Sequence, residues 1–73
     1  MNDVDLLVEL ATQVEMEDPI DWGMLAIDEH DAYKLMATHV IEMNNDDLTN
    51  RAIIVKLLVE NFVLNLKLME SRQ

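Results

Sequence analysis

His39 and Glu42 are the two side chains whose types and spacing come nearest to a metal-binding pair in this chain. Their separation of three positions on a predicted helix is the spacing of the Glu and His ligands in di-iron helical bundles. Such a centre also needs glutamates from facing helices, and only Glu60 stands at a matching height. We therefore predict that His39 is a hydrogen-bonded core or interface residue. The chain is expected to hold no metal or cofactor, with a carboxylate/His metal protein as the alternative.

The remaining polar residues form no recognisable catalytic motif. The acidic stretch EMEDPID, residues 15–21, lacks the alternating aspartates, the glycine and the closing glutamate of a calcium-binding loop. The sequence contains no phosphate-binding glycine loop, nucleophile elbow or zinc-protease helix, and Ser71 is its only serine. Because a nucleophile with a neighbouring base cannot be assembled from these residues, we predict that the protein is not an enzyme.

The negative charge of the chain is concentrated in its first 31 residues, which hold ten acidic residues and no lysine or arginine. The rest of the chain holds five acids and five bases, so the net charge of −10 comes entirely from the first part. Direct binding to a nucleic-acid backbone needs clustered cations and is not expected. The sequence predicts either a basic protein surface as partner or a solvated face that keeps the protein soluble.

The apolar residues recur with helical spacing along the whole chain, which predicts an all-α fold in a single domain. A first helix is predicted over residues 3–16, with Asn2 as its N-cap. Its predicted buried stripe is Val4, Leu7, Val8, Ala11 and Val14. Asp18 and Pro19 then predict an N-cap followed by a single helical turn. Trp22 is predicted to fill the join between the first two long helices, with a partner-binding anchor as the alternative.

A second helix is predicted to begin at Asp28, because acidic residues fill its first turn, and to end at Met43. Its predicted inward face is Ala32, Leu35, Met36, His39, Val40 and Met43. The run NNDD, residues 44–47, ends this helix, since asparagine tolerates the left-handed conformation found at helix ends. A third and longer helix is predicted over residues 46–71.

The third predicted helix carries two apolar rows. The first, here called the core seam, follows the alternating spacing of four and three positions that is typical of a coiled coil. The core seam consists of Leu48, Ala52, Val55, Val59, Phe62, Leu66 and Met69. The second row lies nearly opposite and consists of Ile53, Leu57, Leu64 and Leu68. Lys56, Glu60 and Lys67 border the second row on one side, and Asn61 and Asn65 border it on the other.

Two apolar faces on one helix need two partners. The first two helices are short and can cover only one face of the third. A chain of 73 residues without cysteine also gains limited stability from its own core, about 3–5 kcal/mol. Closed two-fold dimers are the commonest way to bury a remaining apolar face. We therefore predict a helical-bundle homodimer, or a higher even oligomer, with the core seam inside each chain and the second row between the chains.

Two segments, DPIDWGMLAIDEHDAYKLMA at residues 18–37 and VKLLVENFVLNLKL at residues 55–68, resemble small acidic helical proteins of marine T4-like phages, cyanophages especially. Some small acidic proteins of these phages are accessory factors that dock on the transcription machinery of the host. The resemblance implies such a role for this chain. The known factors of that kind end in a short hydrophobic tail, whereas this sequence ends in MESRQ.

The sequence thus predicts a cytoplasmic, non-enzymatic protein–protein interaction module. If the protein is encoded by a phage, it is expected to be a regulator or adaptor that acts on a basic host surface in the host cytoplasm. The alternative is a structural or assembly factor that scaffolds virion proteins. Lys56, Glu60 and Lys67 interrupt the longest apolar stretch, so no membrane association is predicted.

Overall fold

The computed structural model describes residues 3–43 and 47–71, except for the side chain of Leu48. Within those residues the chain forms three helices and no strand: α1 (Asp3–Glu17), α2 (Glu29–Met43) and α3 (Leu48–Ser71). The predicted order of two shorter helices and one long C-terminal helix is confirmed. Each helix packs against the other two. In the part of the chain described, no helix combines the length and the apolar character that crossing a membrane requires.

Aspartates begin α2 and α3. Asp28 Oδ1 accepts a hydrogen bond of 3.0 Å from the backbone N–H group three residues later, and Asp47 Oδ1 makes the same contact at 2.9 Å. Each carboxylate satisfies an amide that has no partner within its helix. The cap predicted at Asp28 is therefore confirmed. The predicted cap Asn2 and the helix end predicted at residues 44–46 lie outside the described residues.

The core lies where the three helices meet. Its buried apolar side chains are Leu7, Val8, Ala11, Ile20, Ala32, Tyr33, Ala37, Val40, Ala52, Val55, Val59 and Val63. The stripe predicted for α1 is confirmed, since its three central members are in this set and Val4 and Val14 pack against its edge. The small alanines allow close approach of the helix backbones, and the branched side chains fill the space between them.

The buried face of α2 differs from the predicted one. Ala32 and Val40 are buried and Met36 is partly buried, as predicted. Leu35, His39 and Met43 are exposed instead. Tyr33 and Ala37 are buried although the prediction did not include them. The reason is that α2 also packs against α1, where the Tyr33 hydroxyl donates a hydrogen bond of 2.6 Å to Glu15 Oε1.

Residues 18–28 connect α1 to α2 without forming a helix, so the helical turn predicted in this stretch is wrong. Gly23 adopts a left-handed backbone conformation, with φ of 61°. Its N–H group donates a hydrogen bond of 3.0 Å to Asp21 Oδ1, which closes a local turn. Ile20 is buried in the core. The connector is therefore held by side-chain contacts, which a pattern of local propensities does not reveal.

Candidate interaction surface

The second row lies on the surface of α3. Ile53, Leu57, Leu64 and Leu68 are 42%, 52%, 58% and 49% exposed. The other side of the same helix supplies Ala52, Val55, Val59 and Val63 to the core. Large aliphatic side chains aligned along one face of a helix whose opposite face is packed form the kind of apolar patch through which proteins bind one another. The second row is therefore the candidate interaction surface.

From Ala52 onwards, the core seam is buried at first and leaves the core towards the C-terminus. Ala52, Val55 and Val59 are buried, whereas Phe62 and Leu66 are partly buried. Met69 is 60% exposed, so its predicted place in the core is wrong, and Val63 is buried although it was not predicted. A seam with a period of 3.5 residues turns by about 20° per heptad relative to a straight helix, which carries Met69 outwards. The side chain of Leu48 lies outside the described residues.

A groove of about 250 Å³ separates α1 from α3 beside the second row. Leu10 and Val14 of α1 line it together with Ala52 and Ile53 of α3. The apolar surface that begins at Ile53 therefore continues onto a second helix. An interface built on the second row has this groove available in addition to the four aliphatic side chains.

The two borders of the second row differ in charge. At 3.6 residues per turn, Glu60 and Lys67 lie about 50° and 70° to one side of the midline of the row. Asn61 and Asn65, both exposed, lie about 50° and 90° to the other side. Lys56 is further round on the side of Glu60, and that side also faces α1 and the connector. We call the two sides the charged border (Lys56, Glu60, Lys67) and the neutral border (Asn61, Asn65).

Lys56 is buried, with 2% of its surface exposed, although the sequence indicated only that it borders the second row. Its Nζ lies 2.9 Å from Asp18 Oδ2 and 3.4 Å from Glu60 Oε1. Asp18 is largely exposed, so the buried side chain of Lys56 brings its ammonium group to a carboxylate at the surface. Burial acts to lower the pKa of Lys56. The hydrogen bond to Asp18 and the charge of Glu60 outweigh burial, and this pKa is raised above its ordinary value.

Lys67 fastens the connector to the C-terminal half of α3. Its Nζ donates a hydrogen bond to the backbone oxygen of Asp21 and lies 3.3 Å from Asp21 Oδ2. The hydrogen bond from Lys67 and its positive charge lower the pKa of Asp21. A β-carbon on Gly23 would lie 3.1 Å from Lys67 Cε. Glycine at this position thus allows both the left-handed backbone and the path of the lysine side chain.

Trp22 lies at the join of α1 and α2, which confirms the prediction of its place in the fold. Its Nε1 donates a hydrogen bond of 3.0 Å to Glu15 Oε2, and Glu15 Oε1 accepts the hydrogen bond from Tyr33. The two rings are 6.3 Å apart between centroids, at an angle of 48°. Burial, followed by the hydrogen bond to Glu15, raises the pKa of Tyr33 above its ordinary range. A role of Trp22 as a partner anchor stays a prediction.

The sequence singled out His39 and Glu42 as a candidate metal pair, and both are exposed on α2. His39 is therefore not a core residue, and its place in an interface stays a prediction. Within residues 3–43 and 47–71, no three carboxylate, imidazole or thiol side chains are close enough together to hold a metal ion.

A second groove, of about 440 Å³, lies between the end of α1 and the start of α2. Glu15, Glu29, His30 and Tyr33 line it, and the exposed side chain of Met16 stands at its edge. Carboxylates beside an aromatic ring are groups that receive the charged end of a lysine or arginine.

Comparison of the chain with protein-family models, with curated proteins and with solved structures finds no match.

Proposed function

We propose that this chain is a non-enzymatic protein–protein interaction module that acts as a homodimer built on the second row. The observation that carries the proposal is the exposure of Ile53, Leu57, Leu64 and Leu68 on a helix whose other face is already buried. A second copy of the chain presents the same row, and a two-fold axis would bring the two rows together in an isologous interface, the commonest kind in homo-oligomers. Dimerisation thereby covers the exposed aliphatic surface of the second row.

The proposed partner of the dimer is a basic surface on another protein. Support comes from the net charge of −10 and from the acidic groove between α1 and α2. A strongly acidic surface speeds the association with a cationic partner, and the affinity decreases as salt screens the charges. Following the resemblance to phage proteins, the proposed partner belongs to the transcription machinery of the host, where the dimer acts as a regulator or adaptor.

Sedimentation velocity over a range of protein concentrations tests the homodimer. The expected species at high concentration has twice the chain mass of 8.4 kDa, and dilution should produce the monomer. A chain that sediments only as the monomer at every concentration would contradict the proposal. In that case the second row would have to be covered by another protein or remain in solvent.

Capture of proteins from a bacterial lysate on the immobilised chain, followed by mass spectrometry, tests the basic partner. The captured protein should elute as the salt concentration rises. Glu29→Lys reverses one charge at the acidic groove and should reduce capture. Glu9→Lys makes the same change at an exposed site on α1 outside that groove and should reduce it less. Capture that is insensitive to salt and to both substitutions would favour an assembly factor that binds through apolar surface.

A further inference from the structure

A two-fold axis can pair α3 with its copy in two ways, and the two ways bring different borders of the second row together. In an antiparallel pair the axis is perpendicular to the plane of the two helices, so the charged borders meet each other. In a parallel pair the axis runs along the helices, so each charged border meets the neutral border of the partner. The second row is buried in both arrangements. The relative stability of the two arrangements therefore depends on which charged and polar side chains meet at the borders.

The side of α3 with the charged border has an excess of acidic groups. Lys56 is paired with both Asp18 and Glu60, and Lys67 is paired with Asp21, so three carboxylates share two ammonium groups. The side chains of Asp18 and Asp21 are 79% and 89% exposed, so they remain available to charges on a neighbouring molecule. An antiparallel pair would set two of these acidic clusters side by side.

The position of Glu60 increases the electrostatic difference between the antiparallel and the parallel pair. The midpoint of the row from Ile53 to Leu68 lies between Glu60 and Asn61, so an antiparallel axis would pass beside them. Glu60 would then face the partner's Glu60 next to buried aliphatic side chains, where like charges repel strongly. A parallel pair sets Glu60 beside the partner's Asn61, only about 1.5 Å away along the helix direction. The amide of Asn61 can donate to that carboxylate in a charge-assisted hydrogen bond.

We propose that the homodimer pairs its α3 helices in parallel, with Glu60 of each chain accepting a hydrogen bond from the partner's Asn61. This inference rests on the proposed dimer through the second row and specifies its arrangement. Parallel helix dipoles oppose the arrangement only weakly, because the effect is screened by salt and limited to the first and last turns. The acidic connectors then lie on opposite sides of the pair of α3 helices.

Disulfide formation between single engineered cysteines tests the arrangement, because the chain has no cysteine of its own. Ile53→Cys and Leu68→Cys lie at opposite ends of the second row. In a parallel dimer each cysteine faces its own copy, near the separation of about 4.4–6.8 Å between α-carbons that a disulfide needs. In an antiparallel dimer the two copies of one cysteine are about 22 Å apart. Glu42→Cys, exposed on α2, measures random collision.

After mild oxidation, Ile53→Cys and Leu68→Cys are each expected to form covalent dimers alone, well above the level of Glu42→Cys. Covalent dimers only in a mixture of Ile53→Cys and Leu68→Cys would show the antiparallel pair and overturn this inference, while the homodimer would stand. A dimeric protein that forms neither disulfide would place the interface away from the second row and overturn it as well. An unmodified chain that sediments as a monomer would instead overturn the proposed function.

Glu60→Gln provides a second measurement that needs no cross-link. In the parallel dimer this substitution replaces a charge-assisted hydrogen bond with a weaker neutral one at each of the two borders, so the dissociation constant should rise by about 30-fold. In an antiparallel dimer it would remove a repulsion at the axis, and the dissociation constant would fall. Glu70→Gln makes the same chemical change at an exposed position of α3 outside the row and should leave the dissociation constant unchanged. A fall in the dissociation constant of Glu60→Gln would overturn the inference.

Discussion

Replacing both Leu57 and Leu64 with glutamate places four carboxylates at the centre of the proposed dimer interface. Within the protomer the two side chains are 52% and 58% exposed, so about half of each is already buried and each polar replacement should lower the free energy of unfolding by about 1 kcal/mol. Both are interior positions of a helix, where glutamate is a good helix former. The double variant is therefore expected to remain helical and to be a monomer.

The size of the effect follows from the surface that dimerisation would bury. Full burial of a leucine stabilises by about 1.5–3 kcal/mol, and these leucines have about half of their surface left to bury, which gives about 1 kcal/mol each. A dimer contains two copies of both, so the double variant loses about 4 kcal/mol of association free energy. At about 1.4 kcal/mol for each factor of ten, the dissociation constant should rise about 1000-fold. Repulsion among the four carboxylates adds to this loss.

Sedimentation velocity measures the association, and far-ultraviolet circular dichroism measures the helix content of the same samples. His30→Glu with His39→Glu is the matched control, because it adds two carboxylates at exposed positions of α2. This control should dimerise as the unmodified chain does. A Leu57→Glu/Leu64→Glu variant with an unchanged dimer would show that the second row is not the interface. The interpretation of α3 as a helix with two packing partners would then be wrong.

Four further predictions concern the fold. Leu7→Ala should lower the free energy of unfolding by about 2–5 kcal/mol in a urea titration, because Leu7 is fully buried. Truncation of a fully buried phenylalanine lowers the free energy of unfolding by about 3–5 kcal/mol. Phe62→Ala should lower it by less, because Phe62 is only partly buried, and a larger loss would contradict that position. The raised pKa of Tyr33 means that the folded state holds the phenolic proton more tightly, so this contribution is complete below pH 10.0 and decreases as the pH rises above it. Tyr33→Phe should therefore show a shallower fall in thermal midpoint above that pH, and equal slopes for both proteins would refute this. Gly23→Ala should cost about 1–2 kcal/mol because of the left-handed backbone, whereas Met24→Ala, at a fully exposed neighbour, should cost almost nothing.

Interactions close in the sequence made part of this structure predictable. Asp28 caps a helix through an amide three residues away, so its role can be recognised from the residues around it. The apolar spacing of α1 and α3 likewise indicated which side of each helix packs, because helical periodicity is a local property. The two apolar sides of α3 were visible in the same way. The prediction for α3 was wrong at Met69, which is exposed, and at Val63, which is buried although the core seam did not include it.

Local residue patterns were sufficient to predict the three helices, their order, the cap at Asp28 and the two apolar sides of α3. The buried face of α2, the path of the connector, the burial of Lys56 and the position of the acidic cluster depend on how the helices pack together. The groups that form these features lie far apart along the chain. Lys56 and Lys67 pair with connector residues 38 and 46 positions away, and Tyr33 is bound by Glu15 across 18 positions. Such contacts form only after the helices have packed, so a local pattern of residues does not predict them.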